Sequence, residues 1–222
     1  MAIPMEGEGP RDKLLERGVS SLSDVELLAV LLRTGYRDCS VLDLARELLG
    51  QFGDFGGLLR AGQARLLDCT GIGPAKYAQL QAAMELVRRL ALQQVRSGDA
   101  LSSPAETRRF LQYHLAHHSR EVFCCLFLDS QHRVLRCEDL FFGTLDGAAV
   151  YPREVAVRAL QNRAAAVIFA HNHPSGVAEP SSADRRITER LRAALELLDI
   201  RVLDHIIVGS GRAYSFAEEG LL

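Results

Sequence analysis

The five cysteines, Cys39, Cys69, Cys124, Cys125 and Cys137, are odd in number and include no C-x-x-C pair. That fits neither a disulfide framework nor a Cys-rich zinc motif, and it points to a reducing, cytoplasmic compartment. Cys124 and Cys125 sit in an apolar run and read as reduced core or surface thiols. An excess of positive charge is also missing. Twenty-six Lys and Arg face 28 Asp and Glu, a net charge of -2, so the whole chain lacks the balance of a dedicated nucleic-acid binder. No apolar stretch approaches the roughly 18 residues that would suggest a membrane span, and "MAIPMEGEGPRDK" has no long apolar run. The chain is therefore expected to be soluble and unexported, with no membrane partner. No period of roughly 20 to 50 residues repeats and no low-complexity tract occurs, which argues against a solenoid or a disordered tail.

What is present is enough apolar material for a core. With 222 residues and 48% hydrophobic content, the chain fits one large domain or two small ones. The first ninety or so residues carry helical periodicity. "SLSDVELLAVLLRTG" has Ser23 as a cap with Glu26 three residues on, and "SVLDLARELLGQFG" repeats the pattern from Ser40 to a glycine stop. Two short helices and one long one follow. The polar segment "RSGDALSSP", Arg96 to Pro104, marks a boundary, so a helical domain is placed at 1–98 and a second domain at 104–222. In the second, "EVFCCLFLD", "VLRCEDLFF", "AAAVIFA", "RVLDHIIVG" and "AYSFAEEG" read as strands. Pro104 to His118, Arg153 to Asn162 and "SADRRITERLRAALELLDI" read as helices. The fold class is α/β in the mixed α+β sense, with helices packed on a sheet.

"FAHNHPSGVAEPSSAD", Phe169 to Asp184, is the stretch richest in chemistry. If the strand continues through His171 and His173, both imidazoles project from one side and can reach one ion. A catalytic zinc takes three protein ligands and leaves a position for water. Asp184 can be the third, because the Pro174-Ser175-Gly176 turn brings a helix N-terminus back toward the strand end. Each half also has an ordinary reading. Ser181-x-x-Asp184 before an apolar helix is a capping arrangement, and His-x-His in a loop is more often solvated than metallated. The other histidines, His114, His117, His118, His132 and His205, show no ligand spacing to one another; His205 is the one that can approach the site.

Taken together, His171-x-His173, seven residues, Ser181, two residues and Asp184 resemble the signature of the JAB/MPN (JAMM) metalloprotease family. Glu121 in "EVFCCLFLD" matches that family's upstream glutamate. The resemblance implies a three-layer JAB/MPN-type sheet with flanking helices. His171, His173 and Asp184 would hold Zn2+, Glu121 would be the general base and Ser181 would stabilise the oxyanion, in hydrolysis of an amide or isopeptide bond of a peptide or protein substrate. Glu154 and Glu179 are rivals for the base. The letters "HNH" match a nuclease only verbally, because those three residues are consecutive here.

"LLDCTGIGPAKYAQLQAA", Leu66 to Ala83, looks like a helix-hairpin-helix. Backbone N–H groups at Gly71 and Gly73, with Lys76, would contact DNA phosphates independently of sequence. The alternative is a Gly-capped αα-hairpin used only for packing. Residues 1–98 carry 12 Lys and Arg and 12 Asp and Glu, so the domain is neutral. The series "GIGPAK", "EVFCCLFLD", "GTLDGAAVYPREV", "AHNHPSG" and "PSSADRRITERL" is similar to the bacterial RadC family from "PRDKLLERG" onward. That resemblance implies a JAMM-type hydrolase with a possible DNA-binding module. The alternatives are a non-enzymatic DNA-repair or DNA-processing accessory using the metal domain as scaffold, and a metal-dependent nuclease. One carboxylate with two histidines suits a single zinc better than two-metal nuclease chemistry.

Overall fold

The computed structural model describes residues 9–97, 104–115, 118, 120–143 and 149–222. Most of the Ser/Gly-rich boundary segment and part of "GTLDGAAVYP" lie outside them. Two compact units, 1–85 and 86–222, divide the chain.

The first unit is helical: α1 (Pro10–Arg17), α2 (Asp24–Leu32), α3 (Val41–Phe52), α4 (Phe55–Arg60), α5 (Gln63–Leu67) and the start of α6 (Pro74–Ser97). The caps form as the sequence predicts. Ser23 Oγ accepts the Glu26 N–H while the Glu26 carboxylate accepts the Ser23 N–H, and Ser40 caps α3. Helical spacing then aligns Leu28, Ala29 and Leu32 with Leu44, Ala45 and Leu48, all buried, and Leu58, Leu66, Ile72 and Leu80 complete this core.

The second unit is a three-layer α/β structure. It contains α7 (Pro104–Leu115), β1 (Val122–Leu128), β2 (Val134–Phe142), α8 (Pro152–Gln161), β3 (Ala166–Asn172), α9 (Ser182–Glu196), β4 (Arg201–Val208) and β5 (Ala213–Ser215). The strand order is β2-β1-β3-β4-β5; only the β3/β4 pair is parallel, joined through α9. Strands β1 and β3 are central and buried on both faces, which is why they read as unbroken apolar runs rather than alternating ones. One face, with Cys124, Leu126 and Ala170, packs on Phe110, Leu111 and Leu115 of α7 and on Ala91 and Val95 of α6. The other, with Phe123, Phe127 and Phe169, packs on Val155 and Ala159 of α8 and on Leu191 and Leu195 of α9.

One expected strand is shorter than its pattern suggested. "AYSFAEEG" pairs only over Ala213–Ser215, and a turn follows. Asp204 at the adjoining β4 supplies the reason, since its carboxylate accepts both the Ser215 hydroxyl (2.6 Å) and the Ala217 N–H (3.0 Å) and curls the chain away from the ladder.

Candidate metal centre

Strand alternation positions the two histidines. His171 and Asn172 end β3, and His173 extends the ladder by donating its N–H to the Val208 carbonyl at 3.0 Å. His171 and His173 therefore share the α9 face, and Asn172 points the other way. There its side-chain carbonyl accepts the Val122 N–H at 2.8 Å and its amide donates to the Arg120 carbonyl at 3.0 Å, tying the start of β1 to the end of β3. The following turn closes through the Gly176 N–H to His173 O at 2.9 Å. Gly176 has φ +82°, and a Cβ there would come within 2.5 Å of Ser210 Oγ, so a side chain would strain the backbone and displace Ser210.

The chain returns to α9, where Ser181 is the N-cap. Its Oγ accepts the Asp184 N–H at 3.1 Å and donates to Asp184 Oδ2 at 2.6 Å, which also accepts the Ser181 N–H at 2.7 Å. The cap and the approach to the histidines are thus one arrangement, because the carboxylate that Ser181 holds is the one that both imidazoles meet. His171 Nε2 lies 3.3 Å from Asp184 Oδ1, His173 Nε2 lies 3.4 Å from Oδ2, and the two Nε2 atoms are 3.0 Å apart.

Hydrogen bonds behind the histidines fix which nitrogens face that point. His173 Nδ1 lies 2.8 Å from the Val177 carbonyl and must donate to it. For His171 the chain is longer. The Thr188 hydroxyl donates to the Asp184 carbonyl at 2.6 Å, so toward His205 Nδ1, also 2.6 Å away, it can only accept. His205 therefore carries its proton on Nδ1, and its Nε2 accepts from His171 Nδ1 at 2.9 Å. Both Nε2 lone pairs are left converging with a carboxylate. A proton or a cation has to resolve that convergence, and ligands about 2.0–2.1 Å from a tetrahedral zinc would be roughly 3.3–3.4 Å apart, close to the observed spacing. The donor set fits a metal.

The electrostatics agree. Partial burial opposes ionisation of Asp184, but hydrogen bonds from His171 and His173 outweigh it and hold the carboxyl far below the usual range. The Asp184 hydrogen bond raises His173 despite its burial. Burial pushes fully enclosed His205 well below 6.5, aided by repulsion from His171, so it stays a neutral relay.

A cavity of about 630 Å³ opens over these three side chains, and Glu121, Tyr151, Ser181, Arg186 and Arg190 also line it. Glu121 immediately precedes β1. The Phe123–His171 pairing, continued by one pleat, sets it opposite His173. Neither rival glutamate lines this cavity; Glu154 instead contacts Arg153 at 3.2 Å in the first turn of α8. Sequence reasoning did not single out Thr188, Arg186 or Arg190. Their signal was present in α9, since helical spacing places 184 and 188, and 186 and 190, one turn apart.

In the first unit, Gly71 has φ +87°, and a Cβ there would meet the Tyr36 ring at 2.3 Å. Lys76 donates to the carbonyls of Gly71 at 2.8 Å and Gly35 at 3.2 Å, so its ammonium is tied into the turn. Gly73 is open, with nothing near the position of a Cβ.

Residues 101–221 match the model of the RadC-like JAB domain, and residues 3–78 that of the UPF0758 N-terminal region. Similar whole-length proteins carry the name UPF0758 protein. That of Tolumonas auensis is 56% identical over 217 residues, covering 98% of this chain and 97% of the relative. That of Aeromonas salmonicida is 57% identical with the same coverage. That of Nitrosococcus oceani is 58% identical over 215 residues, covering 97% and 96%. No described helix is long and apolar enough to cross a membrane.

Proposed function

This chain belongs to the family of RadC-like JAB-domain proteins, and from that premise we propose that it is a zinc-dependent hydrolase of the JAMM type acting on an amide or isopeptide bond. The observation that carries the reading is the convergence of His171 Nε2, His173 Nε2 and the Asp184 carboxylate within 3.0 to 3.4 Å, under a cavity that Glu121 and Ser181 also line. Zinc held by these three would polarise water and lower its pKa toward about 7.

The chain's own residues do the rest. Glu121 takes a proton from the attacking water and returns it to the leaving amine. Ser181 Oγ keeps the Asp184 N–H as its donor and rotates its own proton from Asp184 toward the cavity, where it meets the developing oxyanion. Thr188 and His205 hold the His171 ring in the tautomer that presents Nε2. Arg186 and Arg190 line the wall where a peptide substrate lies.

The test is cleavage of peptide and isopeptide libraries by zinc-loaded protein. Glu121→Gln should keep the fold and the metal while losing about 100- to 10,000-fold in rate. Ser181→Ala should lose on the order of 100-fold. Equal cleavage by wild type and Glu121→Gln would remove Glu121 from the base role. No cleavage across broad libraries would favour a non-enzymatic accessory protein built on the same scaffold.

For the first unit we propose weak, sequence-independent DNA binding through backbone N–H groups at the open Gly73 turn, with Gly71 and Lys76 shaping that turn. Gly73→Glu should abolish salt-sensitive DNA retention; retention unchanged in that variant would assign the turn to packing alone.

A further inference from the structure

The face of the sheet away from the JAMM-type cluster holds a second group of metal-ligand atoms. Cys124 lies opposite Asp139 across the β1/β2 ladder and Cys137 lies opposite Leu126, so Cys124, Cys137 and Asp139 all project toward α7. Their approach depends on a register shift between Phe123 and Cys124, where Leu140 is the extra residue of β2. From the last turn of α7 comes His114. Its Nε2 is held by Asp139 Oδ1 at 2.6 Å, and its Nδ1 is buried with no hydrogen-bond partner. One ligand atom from each of His114, Cys124 and Cys137 lies within 4.8 Å of the others. We propose that His114, Cys124 and Cys137 form a second metal site, for a thiophilic d10 cation of the zinc(II) or copper(I) type.

Three features carry this beyond a pair of core thiols. The donors are two sulfurs and an imidazole nitrogen, the set that soft and borderline cations prefer over magnesium or calcium. The carboxylate of Asp139 on the far nitrogen of His114 is the outer-shell partner that metal-ligating histidines take; it fixes the ring with Nδ1 toward the site. The buried Nδ1, which makes no hydrogen bond of its own, also gains a partner. Two thiolates neutralise a divalent ion, so the occupied site carries little net charge into the core. Cys124 is fully buried, whereas Cys137 stands on edge strand β2 and is partly exposed, which gives a cation its way in. Cys125 projects to the opposite face into the phenylalanine core and serves as the internal control.

The experiment uses full-length protein, stripped with chelator under reducing, anaerobic conditions and then titrated separately with Zn2+, Co2+ and Cu+. Metal content is read by mass spectrometry, and thiolate ligation by the sulfur-to-cobalt charge-transfer absorption. Wild type should bind two equivalents of Zn2+ or Co2+, or one equivalent of Cu+ at the thiols, and the arm that fills the thiol site identifies the cation. Cys137→Ser should lose one equivalent and the charge-transfer band, His171→Ala should lose one equivalent and keep the band, and Cys125→Ala should keep both. Asp139→Asn leaves all three ligands in place and should weaken the thiol site about 10- to 100-fold, a readout that survives if a cysteine variant fails to fold. A wild-type chain with no charge-transfer band and no thiol-bound Cu+ would overturn the proposal, and so would a band that persists in Cys137→Ser.

Discussion

Two histidines on opposite faces of one sheet, His205 enclosed and His114 mostly covered, are held in opposite charge states. His205, on the α9 face, is fully enclosed, and burial together with nearby His171 keeps it neutral far below 6.5. His114, on the α7 face, also loses hydration, but the hydrogen-bonded Asp139 carboxylate, with the nearby Cys137 sulfur, outweighs burial and carries it up to about 10. Burial alone does not decide the protonation of a core histidine; the partner on its second nitrogen does. His205 faces a hydroxyl and another imidazole, so it passes a fixed hydrogen-bond direction to His171. His114 faces a carboxylate, so it holds a proton.

The largest expected effect that tests this contrast is on the ligand cluster itself. His171→Ala should abolish hydrolysis and remove one equivalent of metal while leaving the α7 face unchanged; loss of both metal equivalents would show that the two faces are not independent. Next is the relay. Thr188→Val removes the acceptor for the His205 Nδ1 proton, leaving a buried donor unpaired at a cost of about 1–3 kcal/mol in denaturant unfolding. With its tautomer no longer fixed, His171 should bind metal about 10-fold more weakly or worse. Unchanged affinity would mean that the ring is held by packing rather than by the relay.

A smaller effect is the pH dependence of metal-free stability. His205 has a depressed folded pKa, so its contribution is complete above about 6.5 and is lost as pH falls below that value. His114 has a raised folded pKa, so its contribution is complete below 6.5 and is lost as pH rises through about 10. His205→Gln should flatten the acid side of the thermal-unfolding profile, and Asp139→Asn the alkaline side. The smallest is the cap: Ser181→Ala should cost about 1 kcal/mol of stability, well below its effect on rate.

Much of this was legible in the residues. Period-2 alternation put His171 and His173 on one side, and Ser181-x-x-Asp184 foretold a cap, which also brings the Asp184 carboxylate to the two histidines. Apolar runs gave the central strands because both of their faces are covered. What stayed hidden depends on pairing between distant segments. His205 reaches His171 only through the parallel β3/β4 register, Thr188 matters only once that register is known, and the His114–Cys124–Cys137 group needs a bulge at Leu140 and a helix ten residues upstream of Cys124. No spacing rule encodes such contacts. Lys76 was hidden in another way, since a lysine beside a glycine turn reads equally as a phosphate contact and as a tie to backbone carbonyls.

The central claim is a metal held by His171, His173 and Asp184, and anomalous diffraction from crystals of the zinc-supplemented full-length protein tests it most directly. Data collected on either side of the zinc absorption edge should show a peak bounded by the two Nε2 atoms and the Asp184 carboxylate, absent in Asp184→Ala. No anomalous density there in zinc-supplemented wild-type protein would contradict the account.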